Sequence, residues 1–253
     1  MNATLKSAFL LSDLHLDAPR PELTRAFVAF LQGQARTKPA VFLLGDIFEV
    51  WVGDDDDAEL PGMIAGHLQA TARSGTDIYF MRGNRDFLLG AEYAERAGMT
   101  LINDPYPLTL GGIPTLLSHG DRYCIDDLKY QAFRRQSRDP QWQASVLSQP
   151  LMARRALAAS LRTESITEQQ AMIDAGNPLT DVVNAPIVAD LVRFAARRMI
   201  HGHTHRPDIH FLTMPDGQQA ERIVLSDWRD GVGEAMEVHV DGSIERHLLT
   251  DTQ

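Results

Sequence analysis

The sequence holds one cysteine, Cys124, so no disulfide can form within the chain, and a reducing compartment is expected. No apolar run approaches the roughly 18 residues that a membrane-spanning helix needs. Met1 to Lys6 lacks the basic stretch and apolar core of a signal peptide. A soluble protein, or one that at most rests on a membrane surface, is the expectation. Positive charge is scarce as well: the net charge of −10 argues against general nucleic-acid binding, and no lysine follows Lys129. There is no internal repeat and no low-complexity tract. What remains is a chain of 253 residues, 44% hydrophobic, enough for one large domain or one domain with a sizeable insertion.

The charge is unevenly spread. Arg122, Lys129, Arg134, Arg135, Arg138, Arg154, Arg155 and Arg162 fall in a stretch with only Asp126, Asp127 and Asp139 against them. Two expectations stand side by side: solvated helix faces, or a basic surface turned to an anionic substrate or to anionic lipid.

Ahead of that stretch, short apolar runs rich in strand formers (Ala8 to Leu11, Ala40 to Leu44, Ile78 to Met81) alternate with helical spacing. Leu23, Phe27, Phe30 and Leu31 form one such helical stripe, and Met63, Ile64, His67 and Leu68 another. This alternation predicts an α/β fold with an open, largely parallel sheet. Leu108 to Leu110 and Ile113 to Leu117, joined by Gly111-Gly112, predict a hairpin. From about 123 to 197 the composition turns helical, with Pro140, Pro150, Pro178 and Pro186 cutting it into pieces. Strands return at Met199-Ile200, Ile209 to Leu212, Arg222 to Leu225, Ala235 to Val240 and Ser243 to Leu249, with turns at Asp216-Gly217 and Asp241-Gly242.

The chemistry sits after the strands. Asp13-Leu14-His15, Gly45-Asp46, Gly83-Asn84-Arg85-Asp86, Ser118-His119-Gly120-Asp121 and His201-Gly202-His203-Thr204-His205 each follow a predicted strand, where open α/β sheets bind their ligands. Asp13, His15, Asp46, Asn84, His119, His201 and His203 together offer four imidazoles, two carboxylates and an amide oxygen. A thiolate-free N/O set of this kind suits Mn, Fe, Zn or Co. It is too large for one tetrahedral ion and sufficient for two if Asp46 bridges them. Such a pair holds a phosphoryl group and activates a water for in-line attack. Each motif alone has an ordinary explanation (a turn, a surface pair); five in order at strand ends do not.

Arg85 stands beside Asn84, as a bidentate phosphate ligand or as a salt-bridge partner of Asp86. Asp54 to Asp57 are expected in a solvated loop. His67, His210, His239 and His247 are expected to be structural or exposed, and His205 to support the site without ligating.

The order of these motifs resembles that of the calcineurin-like metallophosphoesterases. The wider contexts Ser12 to Leu16, Leu44 to Glu49, Trp51 to Asp55, Gly83 to Gly90, Asp126-Asp127, Tyr130 to Arg134 and Ile200 to Pro207 resemble the bacterial UDP-2,3-diacylglucosamine diphosphatases. That resemblance implies a four-layer α/β/β/α sandwich, with residues 1–122 and 181–253 as the core and 123–180 as a helical cap that takes the acyl chains. Leu147, Leu151, Met152, Ala156 and Leu157 are candidates for the lining. It implies two Mn ions, one on Asp13, His15, Asp46 and His203 and the other on Asp46, Asn84, His119 and His201. Other divalent transition metals suit the same donors.

By the same resemblance Asn84, Arg85 and His119 are catalytic, and Asn84, Arg85, Asp127, Ser165 and His201 contact substrate. The implied reaction is Mn-dependent hydrolysis of UDP-2,3-diacylglucosamine to UMP and 2,3-diacylglucosamine 1-phosphate, a step of lipid A biosynthesis. The implied setting is the cytoplasmic face of the bacterial inner membrane, to which the protein attaches peripherally without an obligate protein partner. One departure stands out: the family's cap serine is followed within about seven residues by an asparagine and a lysine, and Ile166 to Gln170 supply neither. Two alternatives remain, a soluble hydrolase of another nucleotide or phosphodiester, and a non-catalytic binding module.

Overall fold

The computed structural model describes residues 3–174 and 181–251. Its strands are β1 (Ala3–Leu5), β2 (Ala8–Leu11), β3 (Ala40–Leu43), β4 (Asp77–Met81), β5 (Met99–Ile102), β6 (Tyr106–Leu110), β7 (Ile113–Ser118), β8 (Arg198–His201), β9 (Ile209–Thr213), β10 (Gln219–Val224), β11 (Gly233–Val238) and β12 (Ile244–Leu249). Its helices are α1 (Pro21–Gln32), α2 (Glu59–Arg73), α3 (Ala91–Ala97), α4 (Leu128–Ser137), α5 (Pro140–Leu147), α6 (Leu151–Asp174) and α7 (Asn184–Arg193).

The strands form two six-stranded sheets, ordered β1-β6-β7-β8-β10-β9 and β12-β11-β2-β3-β4-β5. This corrects the expectation of one open sheet, and both sheets are mixed. In the second, β2, β3, β4 and β5 run parallel while β11 and β12 add antiparallel. Strand periodicity reports that a segment is buried and extended. It carries no information on which neighbour supplies the hydrogen bonds.

Buried side chains define the layers. Leu10 and Phe42 of one sheet pack with Leu108, Leu117, Ile200 and Ile223 of the other, so this apolar cluster lies between the sheets. The opposite face of the β2 sheet packs Phe9, Leu11, Val41 and Leu43 against Leu23, Phe27 and Phe30 of α1 and Ile64 and Leu68 of α2. The opposite face of the other sheet packs Leu116, Met199 and Leu212 against Ile187 and Leu191 of α7. Helix, sheet, sheet, helix: this is the four-layer α/β/β/α sandwich. Both faces of β2 and β3 are covered, which is why they read as unbroken apolar runs.

Helices α4 to α6 join neither sheet. The chain leaves the core at Tyr123 and returns at Val183, whose N–H donates to the Tyr123 carbonyl at 2.9 Å. Pro140 opens α5 and Pro150 immediately precedes α6, as expected of helix boundaries. Pro186, however, sits within the first turn of α7, where its missing N–H would be unpaired in any case. Pro178 and the rest of 175–180 lie outside the described residues. Phe133 and Trp142 clasp Phe87 of the core, with ring centroids 6.1 and 6.0 Å away.

The packing between the sheets makes a direct prediction. Leu117 is fully buried there, so Leu117→Ala is expected to cost about 2–5 kcal/mol in urea unfolding, with an unchanged m-value.

Candidate metal centre

Three loops of the β2 sheet and two of the other sheet converge at the carboxyl ends of their strands. Asp13 and His15 follow β2, Asp46 follows β3 and Asn84 follows β4; His119 follows β7, and His201 and His203 lie at and just beyond the end of β8. The chain turns there through left-handed backbone at Asp13 (φ 56°), His15 (48°), Asp46 (55°) and His203 (69°). Such angles are uncommon outside glycine, and they persist where surrounding contacts fix them. The glycines beside them serve close approach. A Cβ on Gly83 would collide with the Asp46 carboxylate, and one on Gly202 with Ser12 and Asp13.

Asp46 is the meeting point. Its Oδ1 accepts the Arg85 N–H at 2.8 Å and lies 3.8 Å from His119 Nε2, while Oδ2 lies 4.0 Å from His15 Nε2. Asn84 Oδ1 lies 2.9 Å from His119 Nε2 and 2.8 Å from His203 Nδ1. Asp13 Oδ2 accepts the His203 N–H at 2.8 Å, and its Oδ1 lies 3.8 Å from His15 Nε2.

Neighbours hold the imidazoles. His119 Nδ1 is 2.8 Å from the Leu44 carbonyl, which places a proton on Nδ1 and orients the ring with Nε2 toward the cluster. Glu49 lies 3.1 Å from His15 Nδ1, within ion-pair distance. His201 differs from the rest: its ring nitrogens meet the Gly202 carbonyl at 2.8 Å and the Arg222 guanidinium at 3.3 Å. Its backbone adjoins the cluster, because Gly202 N–H donates to the His119 carbonyl.

Electrostatics follow from this crowding. Burial raises Asp13, but contact with His205 and the charges on His119 and His15 outweigh it and hold the carboxyl well below the usual range. Burial lowers His119, yet the carboxylates of Asp46, Asp13 and Asp121 push it up to about 9. His201 and His203 are lowered to about 4, chiefly by burial. Asp13 Oδ1 and His15 Nε2 are buried without a hydrogen-bond partner. Orphaned acceptors beside two carboxylates are costly unless a cation satisfies them. The donors present therefore fit a divalent metal, and their mixed N/O character is that of Mn, Fe, Co or Zn sites.

Residues 8–207 match the model of the calcineurin-like phosphoesterases. The chain belongs to that family. It is also similar over most of its length to proteins named UDP-2,3-diacylglucosamine hydrolase. That of Stenotrophomonas maltophilia (strain R551-3) is 46% identical over 240 residues, 93% of this chain and 96% of the relative. That of Chromohalobacter salexigens is 44% identical over 93% of this chain and 94% of its own length. That of Cellvibrio japonicus is 47% identical over 88% of this chain and 91% of its own.

The remaining candidates of this phosphoesterase are dispersed around the cluster. Arg85 does not pair with Asp86: that carboxylate turns inward, accepts the N–H groups of Gly83 at 2.7 Å and Ile47 at 2.8 Å, and is raised by burial and by Asp46 to about 6. Arg85 Nε is buried without a partner. Asp127 caps α4 by accepting the Tyr130 N–H at 2.9 Å. Ser165 is half-buried on α6, one turn beyond Arg162, whose guanidinium pairs with Glu49. His205 lies 3.4 Å from both Asp13 and Asp227, and a ring nitrogen of it, an Asp13 oxygen and a His15 nitrogen all lie within 4.8 Å of one another, so it stands close enough to ligate with them.

Asp86 and Asp121 stand within the strand-end motifs and Glu49 within a matched context, yet none is among the expected site residues, and Asp227 carries no spacing signal at all. Asp121 joins the centre to α4: its Oδ2 accepts Tyr130 Oη at 2.6 Å and Arg134 Nε at 2.9 Å, and the Tyr130 ring stacks on His203.

Asp54 to Asp57 lie in a loop, as expected, with Asp55 and Asp57 exposed, yet each of the four carboxylates has a partner. Asp54 accepts the Gly90 and Tyr93 N–H groups at the start of α3, at 2.8 and 2.9 Å. Asp55 takes Arg154, and Asp56 and Asp57 take Arg155. With Arg122 on Asp190, Lys129 on Glu164, Arg134 and Arg138 on Asp121 and Arg162 on Glu49, most of the basic excess is spent inside the molecule.

Asp86→Ala would leave two buried backbone donors unpaired, each worth about 1–3 kcal/mol. It is expected to destabilise the protein by roughly 2–5 kcal/mol in urea and to lower its metal content, measured by elemental analysis after loading with manganese.

Proposed function

We propose that the protein hydrolyses the pyrophosphate bond of UDP-2,3-diacylglucosamine, releasing UMP and 2,3-diacylglucosamine 1-phosphate. The observation that carries the chemistry is the Asp46 carboxylate, which presents one oxygen toward His119 and the other toward His15, the posture of a bridging ligand. The choice of substrate is supported by the end-to-end similarity to hydrolases of that name.

In this reading Asp13, His15, Asp46 and His203 would hold one Mn ion and Asp46, Asn84 and His119 the other; His201, which the resemblance assigns to the second, would have to turn away from the Gly202 carbonyl and Arg222 to join them. When bound, such a pair supplies Lewis acidity to the phosphoryl oxygens and a water of lowered pKa for attack. The protein contributes position. The Leu44 carbonyl orients the His119 ring through Nδ1, and Glu49 lies beside that of His15. Arg85, tethered by its N–H to Asp46, brings a guanidinium to the mouth of the site to hold phosphate oxygens as negative charge grows on them.

Residues 123–180 act as the substrate cap. Ser165 and Asp127 face the glucosamine phosphate from α6 and the start of α4. Leu147, Met152 and Ala156 are exposed and remain available to acyl chains, whereas Leu157 packs against the core. No described helix is long and apolar enough to cross a membrane. Peripheral attachment at the inner face of the cytoplasmic membrane is supported by the exposed apolar side chains Ile125, Leu128, Met152 and Ile166. The paired arginines contribute little to it.

Manganese-loaded protein is expected to release UMP from UDP-2,3-diacylglucosamine far faster than it cleaves p-nitrophenyl phosphodiesters, as followed by chromatography. Preference for the generic esters would sink the proposal. Loss of about 4 kcal/mol of transition-state stabilisation corresponds to on the order of 10³-fold in rate. Asp46→Asn is expected to lose activity on that scale, together with bound manganese.

A further inference from the structure

A second cluster of metal-ligating side chains lies away from this centre. β11 runs antiparallel to β2, with Glu237 opposite Phe9 and Val238 opposite Ala8, so the cluster sits toward the end of the sheet where β2 begins. Asp13 is four residues further along, roughly 13 Å at the rise of an extended strand. The face is the one turned to α1: Phe9, the cross-strand neighbour of Glu237, packs its ring against Phe30 and His247.

On the other side of β11, Glu237 is paired directly with Glu245 of β12. Like charges placed opposite one another destabilise a strand pair unless positive charge lies between them. Glu237 is nearly buried, which sharpens the cost. Its two oxygens divide the work. Oε1 takes the Lys38 ammonium and His239 Nδ1. Oε2 faces the other way, 3.1 Å from His247 Nε2, which in turn lies 3.9 Å from Glu245 Oε2. One oxygen of each glutamate and one nitrogen of His247 all lie within 4.8 Å of one another. Tetrahedral bonds of about 2.0–2.1 Å separate ligand atoms by about 3.3–3.4 Å, a value these distances straddle.

We propose that Glu237, Glu245 and His247 form an independent divalent transition-metal site, of zinc type, that staples the β11–β12 hairpin. Three N/O ligands leave a fourth position to water at the exposed Glu245 edge. His239 braces the set: its Nδ1 lies 2.9 Å from Glu237 Oε1 and its Nε2 3.4 Å from Glu245 Oε2, so it spans the two carboxylates. Lys38 stays on Oε1, so the metal and the ammonium use different oxygens of one carboxylate.

Zinc counting after loading and desalting tests this. Wild-type protein and Asp46→Asn are expected to retain a zinc that Glu245→Gln and His247→Asn both lose, one per chain. Glu245 is exposed, so Glu245→Gln leaves folding and hydrolysis unchanged. In the Asp46→Asn background, zinc is expected to raise the thermal midpoint by several degrees, and adding Glu245→Gln abolishes the rise. Equal zinc content and equal midpoints with and without Glu245 would overturn the proposal. The readouts are independent of turnover, so they hold whatever the substrate of the other centre proves to be.

Discussion

A buried carboxylate destabilises a fold unless its oxygens are matched, and Asp46 is matched from several strand ends at once. The Arg85 N–H arrives from the loop after β4, His119 from β7 across the sheet interface, and His15 from β2. Satisfying that one group fixes how the two sheets register against each other at their carboxyl ends. The left-handed turns at Asp13, His15, Asp46 and His203, and the glycines at 83 and 202, are the local backbone cost of bringing so many donors to one point.

Around this point the protein uses a second layer of carboxylates. Glu49 lies beside His15, Asp86 ties the loops after β3 and β4 together, and Asp121 links the loop after β7 to α4. Helices α4 to α6 are therefore attached to the centre chemically as well as sterically. Tyr130, held by Asp121, lays its ring on His203, and Arg162, held by Glu49, brings α6 beside His15. The acidic run Asp55 to Asp57 and the pair Arg154-Arg155 extend this docking along the cap. Charges that look like two opposed surface patches in the sequence neutralise each other in the fold.

Much of the fold was legible because its signals are local. The apolar runs at β2, β3 and β4, the stripes of α1 and α2, and the Gly111-Gly112 hairpin each follow from residues adjacent in the chain. β1, β5 and α3 gave no such signal: Ala3–Leu5 is a short parallel edge pairing with β6, and the seven-residue α3 is capped from Asp54, far away in sequence. The candidate ligands were legible for a different reason. Metal chemistry restricts residue types so strongly that Asp, His and Asn after successive strands stand out without any coordinates.

Sequence by itself determined the donors, their order and their placement after strands, because chemistry and periodicity are written in residue identity. Tertiary structure alone decided that the strands divide between two sheets, since hydrogen-bond partners are set by packing. It also decided that most of the arginines of 122–162 face carboxylates of the core, and that Glu237, Glu245 and His247 share one corner. Coulomb interactions act through space, and no count along the chain reveals which charges will meet.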